Sequence, residues 1–350
     1  MAVHAVIMAG GKGERLWPVS TPDMPKQLHS FGTDRSLLRS TFERLEGITD
    51  AGRVYVVTNS GIAGKVGEHL PELPPENILV EPVGRNTAPC IAYAALQISK
   101  KDPDAVMAVF PADHLVEDDA GFRNAITFGI DALAGRPELL ITLGMVPDHP
   151  ETGYGYIAPG ETLDQDGSLK LHRVLTFREK PDAKTAQEYI AKGFLWNAGM
   201  FIWRVDTILD AFRRHLPLMY GLLADMGVQG DVTRQEVEAF YKAVDPISID
   251  YGVMEKASSV AVVPADFGWN DIGSWDALAK MLPRDNSGNV TKGDVLLEDS
   301  TNNVVWAGDK KVVLIGVEDL VVVEGENAIL VCPRKQSQLV SLVSKKMTNP

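Results

Sequence analysis

The sequence predicts an α/β protein: a mostly parallel mixed sheet with helices on both faces, followed by a smaller β-rich segment. Short apolar runs of strand length alternate with segments whose apolar residues recur at spacings of three and four. Such alternation implies right-handed crossovers between parallel strands. The first apolar run leads directly into Gly10-Gly11-Lys12-Gly13, and sheets of this kind hold ligands at the carboxyl ends of their strands. Beyond Pro283 the helical pattern stops and short β-rich runs take over.

Taken in order, strands are predicted at 5–8, 54–58, 106–110 and 139–144, with helical segments at 37–45, 89–100 and 122–133. Phe201 and Trp203 read as buried residues of a further strand at 199–203. Pro283, Asp285, Asn286 and Gly288 then punctuate the chain, which sets a boundary between one domain at 1–283 and a second at 284–350. The second holds β-rich runs at 295–297, 304–306, 312–315, 320–323 and 328–331. Strand ends of this kind need covering. The stretch 336–346, with Leu339, Leu342 and Val343 on one helical face, is expected to cap them or to meet a second copy in a homodimer.

With 350 residues and 45% apolar content the chain can bury a full core. No apolar run approaches the roughly 20 residues that span a bilayer. The start, MAVHAVIMAGG, lacks a basic leader and a cleavage site, so no membrane association is expected. Cys90 and Cys332 are the two cysteines; they offer neither a disulfide framework nor a C-x-x-C metal site, and a cytoplasmic address is expected. The net charge of −13 argues against a nucleic-acid partner, which needs a basic surface. A polyanionic ligand must therefore be met by a local concentration of cations. Lys12, Arg15, Lys26, Arg85 and Lys180 are the candidates, although a lone Lys or Arg is ordinarily a solvated surface residue.

The stretch 6–27, VIMAGGKGERLWPVSTPDMPKQ, is the most informative in the chain. Glycines let a backbone approach a ligand closely, and successive exposed N–H groups form a concavity that suits an anion. Lys12, Arg15 and Lys26 near Gly10, Gly11 and Gly13 strengthen the case for phosphate. A Walker A loop fails, because Gly13 is followed by Glu14 and Arg15. A dinucleotide turn fails too: its last glycine would be Leu16, and Pro18, Pro22 and Pro25 prevent the long helix that it needs.

What does fit is G-G-x-G-x-R-L-x-P followed by P-K, read here as Gly10, Gly11, Gly13, Arg15, Leu16, Pro18, Pro25 and Lys26. This resembles the signature of the sugar-nucleotide pyrophosphorylases, and Trp17 and Gln27 resemble the branch that makes GDP-sugars, the mannose-1-phosphate guanylyltransferases. The resemblance implies a Rossmann-like nucleotide-diphospho-sugar transferase fold with a small C-terminal left-handed β-helix-like domain.

Further blocks of that family recur along the chain. The block E-P-x-G-R-N-T-A-P covers Glu81, Gly84, Arg85, Asn86 and Thr87, and the resemblance places it beside the guanine and the phosphates. Guanine presents N1–H and N2–H₂ donors, which either the Glu81 carboxylate or main-chain carbonyls can accept; Asn86 or Thr87 can also cap the following helix. Asp113 follows a buried strand, where a carboxylate is costly unless paired or bound to metal. Asp271, in the FGWNDIGSW block, is a second such carboxylate. Two carboxylates with nucleotide phosphates suit Mg²⁺, and the resemblance makes Asp113 and Asp271 its ligands, with Mn²⁺ as a possible substitute. His114 reads as an orienting group or an ordinary hydrogen-bond partner.

The middle of the chain looks like the sugar end of the site. Gly153, Tyr154 and Gly155 let backbone approach a hydroxylated ring. Phe177-Arg178-Glu179-Lys180-Pro181 matches the family's F-V-E-K-P block, with Arg178 in place of the common valine. Glu179 can accept from hydroxyls and Lys180 can hold a phosphate as a point charge. Asn197, in a block with Gly199, offers an amide to hydroxyls.

The expected reaction joins GTP and mannose 1-phosphate into GDP-mannose and pyrophosphate, with Arg15, Lys26, Asp113 and Asp271 as the catalytic set. Two alternatives accompany it: guanylyl transfer to another sugar, such as a manno-heptose 1-phosphate, and a non-catalytic GDP-sugar sensor. Longer family members append a cupin-type isomerase domain, and many carry Thr or Ser at position 14 and Arg at 21. This chain has Glu14 and Thr21, and isomerase activity is not expected of it.

Overall fold

The computed structural model describes residues 1–11, 13–32 and 34–348. Their contacts divide into two compact units, Met1–Gly10 with Thr41–Ala112 and Val116–Trp269, and Gly11–Ser40 with Asp113–Leu115 and Asn270–Pro350.

In the first unit, among the described residues, nine strands form one sheet: β1 (Val3–Met8), β2 (Val54–Asn59), β3 (Ile78–Glu81), β4 (Val106–Pro111), β5 (Leu140–Met145), β6 (Gly155–Asp166), β7 (Leu169–Glu179), β8 (Leu195–Arg204) and β9 (Val260–Ala265). Their order is β3-β2-β1-β4-β8-β5-β9-β7-β6. Pairing is parallel for β1 with β2 and β4, for β2 with β3, and for β5 with β9. It is antiparallel for β8 with β4, β5 and β6, and for β7 with β6 and β9. Seven strands therefore share one direction and β7 and β8 oppose it, the mostly parallel mixed sheet that the alternation predicts.

The central strands read as unbroken apolar runs because both of their faces are covered. Val6 and Ile7 of β1, Val106 to Val109 of β4 and Ile141 of β5 are fully buried. The helix Thr87–Lys101 lays Ala88, Ala92, Ala94 and Ala95 into the core, small residues that permit close approach to the sheet. Phe201, Trp203, Phe212 and Tyr241 are among its bulkiest side chains.

Among the described residues the second unit carries six short strands, β10 (Val290–Lys292), β11 (Val295–Glu298), β12 (Val304–Trp306), β13 (Val312–Ile315), β14 (Leu320–Glu324) and β15 (Ile329–Pro333). Val290, Val304 and Val321 are aligned across the parallel strands β10, β12 and β14, and Val295 is aligned with Val312 across β11 and β13. Successive turns of chain thus stack as a β-helix-like coil, with β15 added antiparallel to β14. Asn289 and Asn303, both buried, make the stacking specific: Asn303 donates to Asn289 Oδ1 from N and Nδ2, and its own Oδ1 accepts from Leu320 N.

The apolar core of this unit joins Leu16 and Phe31 to Trp275, Val290, Val304, Trp306 and Val321. Trp306 lies 5.6 Å from Phe31 and 5.5 Å from Trp275, ring to ring. The chain that follows the glycine loop, and the end of the Asp271 block at Ile272 and Trp275, are therefore built on the same core as the coil. The terminal helix Val340–Thr348 docks through Val340 and Ser344, leaving Leu339, Leu342 and Val343 exposed.

Candidate active site

In the second unit the glycine loop is shaped by Gly13, whose φ of 62° lies in the left-handed region. A Cβ there would run into Ser20 Oγ and stand 2.8 Å from Lys26 N. Leu16, fully buried, pins the short Glu14–Leu16 turn. Gln27 Nε2 donates to Gly11 O at 3.1 Å. Gly11 itself has open space around it, and Lys12 lies outside the described residues.

Lys26 is the centre of the cluster. Its side chain is 4% exposed, and its ammonium stands 2.8 Å from Asp113 Oδ2 while donating to the Asp271 carbonyl oxygen. Arg15 Nη2 lies 3.6 Å from Asp271 Oδ2, and His114 Nε2 lies 3.8 Å from Asp113 Oδ1. The two aspartates are brought together by main chain: Leu115 and Asn270 form an antiparallel bridge with hydrogen bonds of 2.9 and 3.1 Å. Burial alone would raise the Asp113 carboxyl; Lys26, with His114 and Arg15, overrides it and holds that carboxyl below its usual range. Arg15, Lys26, Asp113 and Asp271, far apart in sequence, thus form one compact group.

Hard oxygen donors on two carboxylates, with cations at hand for phosphate, suit a small divalent ion that keeps waters and takes few protein ligands. Among the described residues no set of three or more His, Cys, Asp or Glu could hold a metal by itself.

The block at 81–87 belongs to the first unit. Glu81 is 4% exposed and directed inward: a Cβ on Gly10 would stand 2.8 Å from its Oε2. Burial lifts its carboxyl to about 7, against the pull of the Tyr241 hydroxyl. Arg85 Nε donates to Tyr241 O at 2.9 Å. Asn86, at φ 68°, caps the helix by accepting from Thr87 N, and Thr87 Oγ1 accepts from Ile249 N at 2.8 Å. These side chains bond to the fold itself, while Gly84 is exposed with open space around it.

The residues predicted for the sugar also gather in the first unit. Tyr154 meets Trp196 and Trp269 edge-on, each at 5.2 Å. Gly153 N donates to Glu151 Oε1 at 2.8 Å. Gly155 is packed against Glu179, and a Cβ there would collide with Glu179 Oε1. Lys180 Nζ lies 3.5 Å from Glu179 Oε2. Asn197 Oδ1 accepts from Gly199 N at 3.1 Å and stands 3.2 Å from the Thr142 hydroxyl. Its Nδ2 donates to Asp250 Oδ1 at 2.8 Å and reaches Glu179 Oε1 at 3.5 Å. Burial and the Glu179 charge lift the Asp250 carboxyl to about 7; burial also raises that of Glu179, with Lys180 opposing.

Asp250 is the functional candidate that sequence reasoning missed. Its one available signal is a lone carboxylate in the apolar stretch PISIDYGVM, which the structure forms into a π-type turn, Asp250–Met254.

The family model for nucleotidyl transferases matches residues 4–287, and that for the MannoseP isomerase/GMP-like β-helix domain matches residues 293–347. The chain is 39% identical to the mannose-1-phosphate guanylyltransferase of Escherichia coli, over 99% of this chain and 73% of that one. It is likewise 39% identical to the Salmonella typhimurium mannose-1-phosphate guanylyltransferase ManC, over 99% and 73%. A solved structure from Thermus thermophilus, described as a mannose-1-phosphate geranyltransferase, matches with a TM-score of 0.88 at 35% identity, covering 99% of this chain and 100% of that one.

Proposed function

The chain belongs to the nucleotidyl transferases, in the mannose-1-phosphate guanylyltransferase branch, and on that premise we propose that it transfers GMP from GTP to α-D-mannose 1-phosphate. A phosphate oxygen of the sugar phosphate forms a bond to the α-phosphorus of GTP. The bond from that phosphorus to the bridging oxygen breaks, and pyrophosphate leaves with the electron pair. The attacking group is already an oxyanion at neutral pH, so no general base is needed. In-line positioning and charge neutralisation carry the rate.

The observation that carries this reading is the Lys26 ammonium, buried between Asp113 and the Asp271 main chain at the end of the glycine loop. Lys26 and Arg15 stabilise charge on the nucleotide phosphates and on the leaving pyrophosphate. Main-chain N–H groups of Gly10, Gly11 and Gly13, with Lys12, add to that binding. Asp113 and Asp271 are the carboxylates that would hold Mg²⁺, or Mn²⁺ in its place. When bound, the ion neutralises phosphate oxygens. The block from Glu81 through Gly84, Arg85, Asn86 and Thr87 shapes the nucleotide pocket. Gly153, Tyr154, Gly155, Glu179, Lys180, Asn197 and Gly199 form the sugar-phosphate subsite.

Residues 1–283 form the catalytic domain in this proposal, and 284–350 form a β-helix-like domain that makes a homodimer contact. Exposed Leu296, Val313 and Ile315 on the coil, and Leu339, Leu342 and Val343 by the terminal helix, support the dimer. Among the described residues no helix is long and apolar enough to cross a membrane; a cytoplasmic address, as expected from the sequence, is part of this proposal. Following GDP-mannose from GTP and mannose 1-phosphate by anion-exchange chromatography, with and without a chelator, tests the proposal. Product that forms with added Mg²⁺ and stops on chelation is expected. Binding of GDP-mannose without any turnover would overturn it.

A further inference from the structure

The hydrogen-bond pattern around Asn197 reassigns the sugar contacts. Gly199 N–H is an obligate donor, so the atom facing it at 3.1 Å must be Asn197 Oδ1. The amide nitrogen therefore faces Asp250 at 2.8 Å and Glu179 at 3.5 Å, and carboxylates can only accept from it. Both donors and the acceptor of Asn197 are thus spent within the protein. Its side chain joins two carboxyls and has no hydrogen left for a ligand.

Thr142, fully buried, sits beside that amide oxygen and also reaches Met200 O at 3.1 Å. Asp250 uses one carboxylate oxygen on Asn197; among the described residues its other oxygen has no side-chain partner. Glu179 keeps an oxygen 3.5 Å from Lys180 Nζ, and its N–H donates to Glu255 Oε1 at 3.2 Å.

From this geometry, and resting on the reading of the chain as a mannose-1-phosphate guanylyltransferase, we propose that Asp250 is a specificity-determining residue that acts with Glu179 as a two-carboxyl clamp on the cis-related hydroxyls at C2 and C3 of a manno-configured sugar. Two carboxyls held side by side by one amide match two hydroxyls on the same face of a ring. A gluco-configured ring turns its C2 hydroxyl to the other face and leaves one carboxyl without a partner, and a buried unpaired acceptor is costly. Asn197 is then a positioning residue that fixes the spacing of the clamp. The raised carboxyls of Asp250 and Glu179 support this arrangement, because a protonated member lets the pair coexist and lets it donate as well as accept.

The test compares the full-length enzyme with Asp250→Asn, using GTP with mannose 1-phosphate, glucose 1-phosphate and the 2-deoxy analogue of mannose 1-phosphate. Asn at 250 can still accept from Asn197, so the fold around it is preserved. For mannose 1-phosphate, kcat/KM should fall about 10- to 100-fold, as loss of a hydrogen bond to a charged group does. With the 2-deoxy analogue the substitution should change little, since the hydroxyl it reads is already gone. Equal losses with all three sugars would assign Asp250 a structural role and overturn the proposal. Should the variant not fold, the parent enzyme decides alone: it must favour mannose 1-phosphate over the 2-deoxy analogue by about 10-fold or more, and indifference to the C2 hydroxyl overturns the clamp. A parent enzyme inactive with every sugar refutes instead the reading on which the clamp rests.

Discussion

Replacing Lys26 by Met keeps the length of the side chain and removes its charge. The side chain is 4% exposed and its ammonium lies 2.8 Å from Asp113, whose own side chain is 32% exposed. Breaking a buried pair by removing one partner costs about 3–5 kcal/mol. Asp113 keeps access to water, which screens its orphaned charge, so about 2–3 kcal/mol is the expected loss. Asp113 has a folded-state pKa below its usual value because Lys26 outweighs burial. Its contribution is therefore present above the unfolded pKa and is lost as pH falls through the folded one. The gap between parent and variant should be full at pH 7 and should narrow towards about pH 3, below the ordinary carboxyl value of 3.8. Urea unfolding at the two pH values measures the stability term. Steady-state pyrophosphate release measures the chemistry, where losing one transition-state charge contact predicts a fall in kcat of about 10²–10³. A variant that unfolds at the parent's urea midpoint and turns over within about threefold of its rate would refute the assigned role of this lysine.

Three further outcomes are expected. Glu81→Gln should stabilise the protein increasingly as pH rises above 4.5 and leave it level below that. The Glu81 carboxyl is raised from 4.5 to about 7, so its contribution is fully present below 4.5 and is lost as pH rises through about 7. That move is worth about 3 kcal/mol, and thermal melts at pH 4 and pH 8 should show the variant level with the parent at pH 4 and ahead at pH 8. Gly13→Ala meets both a left-handed φ of 62° and the crowding of Ser20 and Lys26; a loss of about 2 kcal/mol in urea midpoint terms, with a raised KM for GTP, is expected. Leu342→Glu places a charge on an exposed apolar site next to the coil and should convert a dimer into a monomer in sedimentation velocity, with secondary structure unchanged by circular dichroism.

Much of this molecule is legible in the sequence because the relevant signals are local. β1, β2, β4 and β5 stand out as apolar runs, and the coil strands appear as short β-rich segments. Asp113, just after a buried strand, and Asp271, inside an aromatic block, are picked out because both fall on the motifs that carry the family resemblance. The hairpin of β6 and β7 is not legible, because most of its residues are half-exposed or exposed and the apolar alternation is weak. β3 has four residues, too few for a period. The shared core of Phe31, Trp275 and Trp306 joins segments hundreds of residues apart, and composition changes at 283 carry no trace of it. Asn197 reads as a free amide in the sequence; the structure shows each of its polar atoms committed. The partner that matters, Asp250, lies 53 residues further on, and no periodicity links the two.

The central claim is tested most directly by measuring pyrophosphate release with Mg²⁺ while crossing GTP, ATP, UTP and dTTP against mannose 1-phosphate and glucose 1-phosphate. Release concentrated in the pair of GTP with mannose 1-phosphate is the predicted result. Release that is equal for all four nucleotides, or absent for every pair while GDP-mannose still binds, would contradict the account.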